Sequence, residues 1–231
     1  MTVIPGGQIV EVSGLTIGVL GGTGPQGKGL GLRFGIAGHT VLLGSRDAAR
    51  ADAAAAEVQA MRPGTPVDVR GATNEVAAAD GEVVVLAVPY DGHAELVTAL
   101  APHLAGKIVI DCVNPMAFDK VGAVPVEVRE GSAAEQTAAL VPGSRVVSAF
   151  HDVSARRLFG TNSSVNTDIL VCGDDADAKA LVIALATQVP GMRGIDAGPL
   201  RLSRELEALT TVLLAINKRY KTHAGVRITG V

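Results

Sequence analysis

Residues 22–27 read GTGPQG, a G-x-G-x-x-G spacing set directly behind the apolar run LTIGVL, residues 15–20. Each glycine has its own steric task in such a loop: Gly22 takes a tight turn, Gly24 lets the backbone approach a pyrophosphate, and Gly27 lets the following helix pack closely on the strand. Free amides at the N-terminus of that helix face the negative charge, with Thr23, Pro25 and Gln26 filling the rest of the loop. The chemistry on offer is dinucleotide binding. Further on, where an NAD site carries an Asp or Glu for the ribose hydroxyls, the chain has Ser45, then Arg46 and Arg50. A carboxylate there would repel a 2′-phosphate, whereas a hydroxyl and two guanidiniums donate to one. The pattern selects NADP over NAD.

Gly22, Gly27 and Lys28 also stand at P-loop spacing, but the position after Lys28 is Gly29. A P-loop needs Ser or Thr there for magnesium, which sets nucleotide hydrolysis aside.

Positioning these residues requires strands and helices in alternation. Residues 15–20 predict a strand and Gln26 to Ala37 a helix; 40–44 predict a second strand, Asp47 to Met61 an alanine-rich helix capped by Ser45 or Asp47, and 66–70 a short third strand. The run EVVVLAV, 82–88, predicts a strand buried on both faces. Helix 91–104, strand 107–111, an excursion over 112–131, helix 132–140 and strand 145–149 follow. Six strands with helical crossovers make a doubly wound, mostly parallel sheet, which places the ligand at the ends of strands one and four, with Gly21 to Gly27 facing Val88 to His93. After residue 150 come a polar loop at 160–167, strand 168–172, helix 176–188, a short strand at 193–196 and a long last helix. The expected organisation is an extension over 1–14, a dinucleotide domain over 15–150 and a smaller α+β domain over 151–231. In the last helix Leu202, Leu206, Leu209, Leu213, Ile216 and Tyr220 form a narrow stripe that packs on its own domain, and apolar Leu200, Val212 and Leu214 beside it leave room for a second copy of the chain.

Bulk composition narrows the class. Of 231 residues, 48% are hydrophobic and 19% charged, which is globular. The net charge of −3, the 3% aromatic content and the lack of Trp argue against nucleic acid as a partner. No run reaches the roughly 18 apolar residues of a membrane span, and residues 1–14 lack the basic start and apolar core of a signal peptide, so a soluble cytoplasmic protein is expected. Cys112 and Cys172 lie sixty residues apart with no Cys/His cluster, which predicts reduced core thiols and no metal. Among five histidines only His151, after a strand and within a polar turn, is placed for a ligand.

The segments GGTGPQGKGL (21–30), GSRDAAR (44–50), VLAVPY (85–90), SAFHDVSARR (148–157), VCGDD (171–175) and DAGPL (196–200) together resemble the NADPH-dependent deazaflavin reductases, the coenzyme F420:NADP oxidoreductases. The likeness runs in order from about Leu15 to the C-terminus. It implies reversible hydride transfer between NADP(H) and the 8-hydroxy-5-deazaflavin coenzyme F420, in a homodimer. Carried over, Thr23, Gly24, Pro25 and Gln26 hold the pyrophosphate; Ser45, Arg46 and Arg50 hold the 2′-phosphate; Val88, His93 and Ala155 line the nicotinamide side; and His151 and Val153 border the deazaflavin. The pair Asp91–Gly92 lengthens the turn before His93 relative to the family pattern. Arg156 and Arg157 could meet an acidic tail of the second coenzyme or serve as surface charges. Such a transfer needs two rings held face to face with water excluded, and no protein nucleophile or obligatory acid or base.

Two other readings fit the cofactor half alone. An NADPH-dependent reductase of a small imine or β-hydroxyacid would need a Lys, Asn or Ser on the last helix to act on its substrate, and that helix offers Asn217 and Lys218 near its far end. A catalytically idle NADP(H) sensor that docks a partner protein is the second.

Overall fold

The computed structural model describes residues 2–3, 9–10, 12–64, 67–160 and 164–231. Half of the expected extension, the first residue of the expected third strand and residues 161–163 of the expected polar loop lie outside them. The chain begins with a small antiparallel pair, β1 (Thr2–Val3) and β2 (Ile9–Val10). Then come β3 (Thr16–Leu20), α1 (Pro25–Ile36), β4 (Thr40–Ser45), α2 (Ala48–Ala60), β5 (Val69–Thr73), α3 (Asn74–Asp80), β6 (Val83–Leu86), α4 (His93–Leu104) and β7 (Ile108–Asp111). A hairpin of β8 (Met116–Phe118) and β9 (Ala123–Pro125) precedes α5 (Ala133–Leu140) and β10 (Arg145–Ser148). The remainder is α6 (Ala155–Phe159), β11 (Thr167–Gly173), α7 (Ala176–Thr187), β12 (Met192–Gly198), a 3₁₀ turn at Leu200–Leu202 and α8 (Ser203–Tyr220).

The main sheet has eight strands in the order β12-β11-β10-β7-β6-β3-β4-β5. Its six expected strands are all parallel, and β3 lies between β4 and β6, so the strand order reverses beside β3. The carboxyl ends of β3 and β6 therefore form the crevice where a doubly wound sheet binds its ligand. One apolar cluster on the first face includes Leu30, Phe34, Ala54, Val58 and Val182; a second, with Val97, Leu100 and Leu104, covers the other. Helices on both faces explain why β6 and β7 are buried throughout.

Several elements depart from the sequence expectation. The third strand begins at Val69 rather than 66, and α3 follows it at once, capped by the Thr73 hydroxyl, which accepts the Val76 amide at 3.3 Å. Asp47, not Ser45, caps α2 by accepting the amides of Ala49 and Arg50. The excursion after β7 contains a paired hairpin. Beyond residue 150, β11 pairs antiparallel with β10 and β12 runs parallel to β11, so the sheet continues across the expected domain boundary. Asp168 on β11 binds Arg193 and Arg227 at 2.7 and 2.6 Å and accepts the Ile228 amide, which ties the C-terminal segment to the sheet.

Candidate functional site

The glycine loop leaves β3 at the predicted crevice. A Cβ on Gly22 would lie 2.8 Å from the Leu43 Cα, and one on Gly27 would lie 2.6 Å from the Gly22 Cα. Both neighbours are backbone and cannot swing aside, so only hydrogen fits at either place. α1 begins at Pro25 with Gly24 as its N-cap, and no side chain caps it. Its first-turn amides thus stay open to an anion. Val88, just past β6, meets this loop: a Cβ on Gly21 would lie 2.5 Å from its Cγ1.

At the end of the neighbouring strand β4, Ser45 is buried, and its Oγ accepts the Asp47 amide at 3.2 Å. Arg46 and Arg50 are exposed and have no carboxylate partner among the described residues. Asp47 spends its carboxylate on the helix cap, which leaves both guanidiniums free to meet a phosphate at the start of α2.

The second half of the site is the turn after β10. Phe150 has φ of 65°, in the left-handed region that a bulky residue enters only when its surroundings force it. Its ring is buried edge-on against Phe34 at 5.8 Å, and its carbonyl accepts the Gln26 Nε2 at 3.0 Å. One side chain of the glycine loop therefore holds the turn that carries His151, Asp152 and Val153. Together they bound a cavity of about 750 Å³, whose wall includes Pro25, Gln26, Asn114, Thr210 and Asn217, besides Val153 and Ala155. This is room for a planar polycyclic ligand beside the dinucleotide loop.

Polar groups in the cavity are tightly ordered. The His151 Nε2 lies 2.8 Å from the Ser148 Oγ, while its Nδ1 is buried without a hydrogen-bond partner. Burial, only partly opposed by the nearby Asp111 charge, pushes its pKa down to about 4, so the ring is neutral. Burial pushes the Asp152 carboxyl up to about 7, against the Thr210 hydroxyl, which donates toward it at 3.3 Å. Thr210 also lies within reach of the Asn114 Oδ1 and the His151 carbonyl.

The structure brings together the loop residues, Val88, His151, Val153 and Ala155, and sets Ser45 at the end of the next strand, with Arg46 just beyond it and Arg50 in the first turn of α2. His93 is different. Its side chain is fully buried at the start of α4, with Nε2 at 3.1 Å from the Asp111 Oδ2 and Nδ1 at 3.2 Å from the Gln136 Oε1. Thr137 donates to the same Asp111 oxygen at 2.7 Å. Burial alone would lower the His93 pKa, but Asp111 and Gln136 more than offset it, and the pKa is raised. Asp111 is correspondingly lowered, despite its burial, by His93, Thr137 and the Val113 amide. His93 thus braces the end of β7 from inside the protein and does not border the cavity.

Asn114, Asp152 and Thr210 escaped the sequence reading. Thr210 had a signal: it shares a helix face with Leu213, Leu214 and Asn217, all of which line the cavity. The expected stripe on α8 is only partly buried: Leu206 and Leu213 are covered, while Leu202 and Tyr220 stay exposed. The buried face instead contains Glu207, whose carboxylate accepts the first amides of α5, from Ala133 and Ala134. Burial, with Asp111 nearby, pushes its pKa up to about 8. Both cysteines are buried free thiols, as expected. Among the described residues no helix is long and apolar enough to cross a membrane.

A doubly wound sheet with an open glycine loop, an acid-free second-strand end and an adjoining ring-sized cavity defines the dinucleotide-dependent oxidoreductases as the class. Residues 16–115 match the family described as coenzyme F420-dependent NADP oxidoreductase. The chain is 37% identical over 228 residues to the F420-dependent NADP reductase of Methanothermobacter thermautotrophicus, covering 96% of this chain and 98% of that one. It is 39% identical to the enzyme of the same name from Methanocaldococcus jannaschii, covering 94% and 99%. A crystal structure from Arthrobacter sp. FB24, provisionally named an F420-dependent NADP reductase, superposes with a TM-score of 0.78 at 29% identity, covering 94% and 100%. An imine reductase from Bacillus cereus shares the fold alone, with a TM-score of 0.58 at 18% identity, covering 89% of this chain and 63% of that one. The chain belongs to the F420-dependent NADP reductase family.

Proposed function

We infer that this protein is an NADPH-dependent F420 reductase, which transfers a hydride reversibly between NADP(H) and the 8-hydroxy-5-deazaflavin coenzyme. The observation that carries the reading is the junction of the glycine loop with the cavity at Gln26 and Phe150, since a direct transfer requires both rings at one place. In this reading Gly22, Thr23, Gly24, Pro25, Gln26 and Gly27 hold the pyrophosphate, and Ser45, Arg46 and Arg50 hold the 2′-phosphate. Val88 and Ala155 border the nicotinamide, and His151 and Val153 the deazaflavin. Neutral His151 serves as a fixed hydrogen-bonding wall. His93 acts only by keeping Asp111 and the β7 end in place. Residues 15–150 bind the dinucleotide, and 151–231 complete the second ring's side.

Arg156, at the mouth of the cavity, is suited to an anionic tail on the second coenzyme, whereas Arg157 spends its Nε on the His223 carbonyl. A homodimer would cover exposed Leu202, in the 3₁₀ turn, and Val212 and Tyr220 on α8. A cytoplasmic setting suits two soluble coenzymes and the two free thiols.

The test is spectrophotometric. Protein, NADPH and oxidised deazaflavin coenzyme are mixed, and loss of the deazaflavin's visible absorption is followed. Tight NADPH binding with no bleaching would defeat the reading and return attention to the sensor.

A further inference from the structure

We propose that Asp152 delivers to the bound deazaflavin the proton that accompanies the hydride. The proposal rests on the hydride reading above and adds a role for a residue that reading leaves idle. Asp152 is 7% exposed and lies in the wall of the ring-sized cavity. Its one hydrogen-bond partner among the described residues is the Thr210 hydroxyl, at 3.3 Å from Oδ1, and that hydroxyl has two nearer acceptors, the Asn114 Oδ1 at 3.1 Å and the His151 carbonyl at 3.2 Å. Oδ2 has no partner among the described residues. A carboxylate so poorly solvated is costly, and no cation forms an ion pair with it there.

The titratable and charged groups that share the cavity are His151, Arg156, Lys221 and His223. Arg156, Lys221 and His223 are exposed at its rim. His151 is buried and neutral, with Nε2 engaged by Ser148. Within the buried wall this leaves Asp152, whose pKa stands at about 7, as the group that holds an exchangeable proton near neutral pH.

As NADPH is oxidised, its C4–H bond breaks with the electron pair and a C–H bond forms at the central carbon of the deazaflavin, which is thereby reduced. The acceptor's pyrimidine portion gains electron density and takes a proton on nitrogen. That N–H bond forms as the Asp152 O–H breaks, and the resulting carboxylate recovers a proton from solvent through the cavity mouth. In the reverse direction the Asp152 carboxylate takes the same proton.

The experiment compares wild type, Asp152→Asn and Asp152→Glu in both directions across pH 5.5 to 9. Acting as acid, Asp152 makes the wild-type kcat for deazaflavin reduction fall as pH rises through about 7, while kcat for the reverse reaction rises. Asp152→Asn should lose about a hundredfold in kcat and both pH limbs, with the NADPH KM unchanged, and Asp152→Glu should keep the limbs. Infrared difference spectra of the unliganded protein supply a readout independent of turnover. A protonated-carboxyl band lost as pH rises through about 7 should be missing from Asp152→Asn, while the Glu207 band, lost as pH rises through about 8, should appear in both proteins. Wild-type kcat and limbs in Asp152→Asn, or a carboxyl band that titrates at about pH 7 in both proteins, would overturn the proposal. If wild type fails to bleach the deazaflavin, the hydride reading itself falls, and the infrared band alone decides whether Asp152 holds the proton.

Discussion

Replacing Arg46 and Arg50 together by Ala tests the phosphate pocket. Both side chains are exposed and unpaired among the described residues, so the folded protein loses no contact with them and stability should be unchanged. Each would make a charge-assisted hydrogen bond to the 2′-phosphate of NADPH. Such bonds are worth about 1.5 to 3 kcal/mol when shielded, and the open setting of this pocket argues for the low end. That is about tenfold in affinity per arginine and about a hundredfold for both. NADH, which lacks the phosphate, should lose little. Steady-state KM values for the two cofactors, measured at one ionic strength, give the ratio directly. Equal losses for NADPH and NADH would refute the assignment, as would a wild-type preference for NADH.

Other outcomes follow from the same structure. Gly27→Ala places a Cβ 2.6 Å from the Gly22 backbone; it should cost about 1–3 kcal/mol in urea unfolding and abolish NADPH binding. His93→Ala leaves the buried Asp111 carboxylate with only Thr137 and the Val113 amide, a loss of about 3 kcal/mol or more by the same measurement. Stability should be greatest near about pH 5 and decline toward pH 8. The raised pKa values of Glu207, Asp152 and His93 each contribute stability that is complete at low pH and lost as pH rises through the folded value, while the lowered Asp111 contributes stability lost only in acid. Glu207→Gln should flatten that decline, seen in urea midpoints across pH. Light scattering should report a dimer that Tyr220→Glu with Leu202→Glu converts to monomer, without loss of helical circular dichroism.

The dinucleotide half was legible because its signals are local. Glycine spacing, a continuous apolar run at 83–86 and the absence of a carboxylate at position 45 each express a steric or electrostatic need that neighbours in sequence satisfy. The strand order then followed from right-handed crossovers, and β3 stands where it had to. What failed to show depends on distant partners. α3 is seven residues long, and its alanines carry no amphipathic stripe, so it exists because β3 and β4 offer it a surface. His93 matched a ligand position by resemblance, yet its environment is set by Asp111, Gln136 and Thr137, from β7 and α5. Asp152 and Thr210 come together from segments 58 residues apart, a pairing that no periodicity announces.

The central claim is direct transfer between two rings in one cavity, and deuterium tests it most plainly. NADPH labelled with deuterium at nicotinamide C4, on the transferred face, is oxidised by the enzyme in ordinary water with deazaflavin as acceptor, and the reduced coenzyme is analysed by mass spectrometry. The account predicts one deuterium retained at the central carbon of the deazaflavin, with none released to solvent. Label appearing in the water while the deazaflavin is reduced would contradict it.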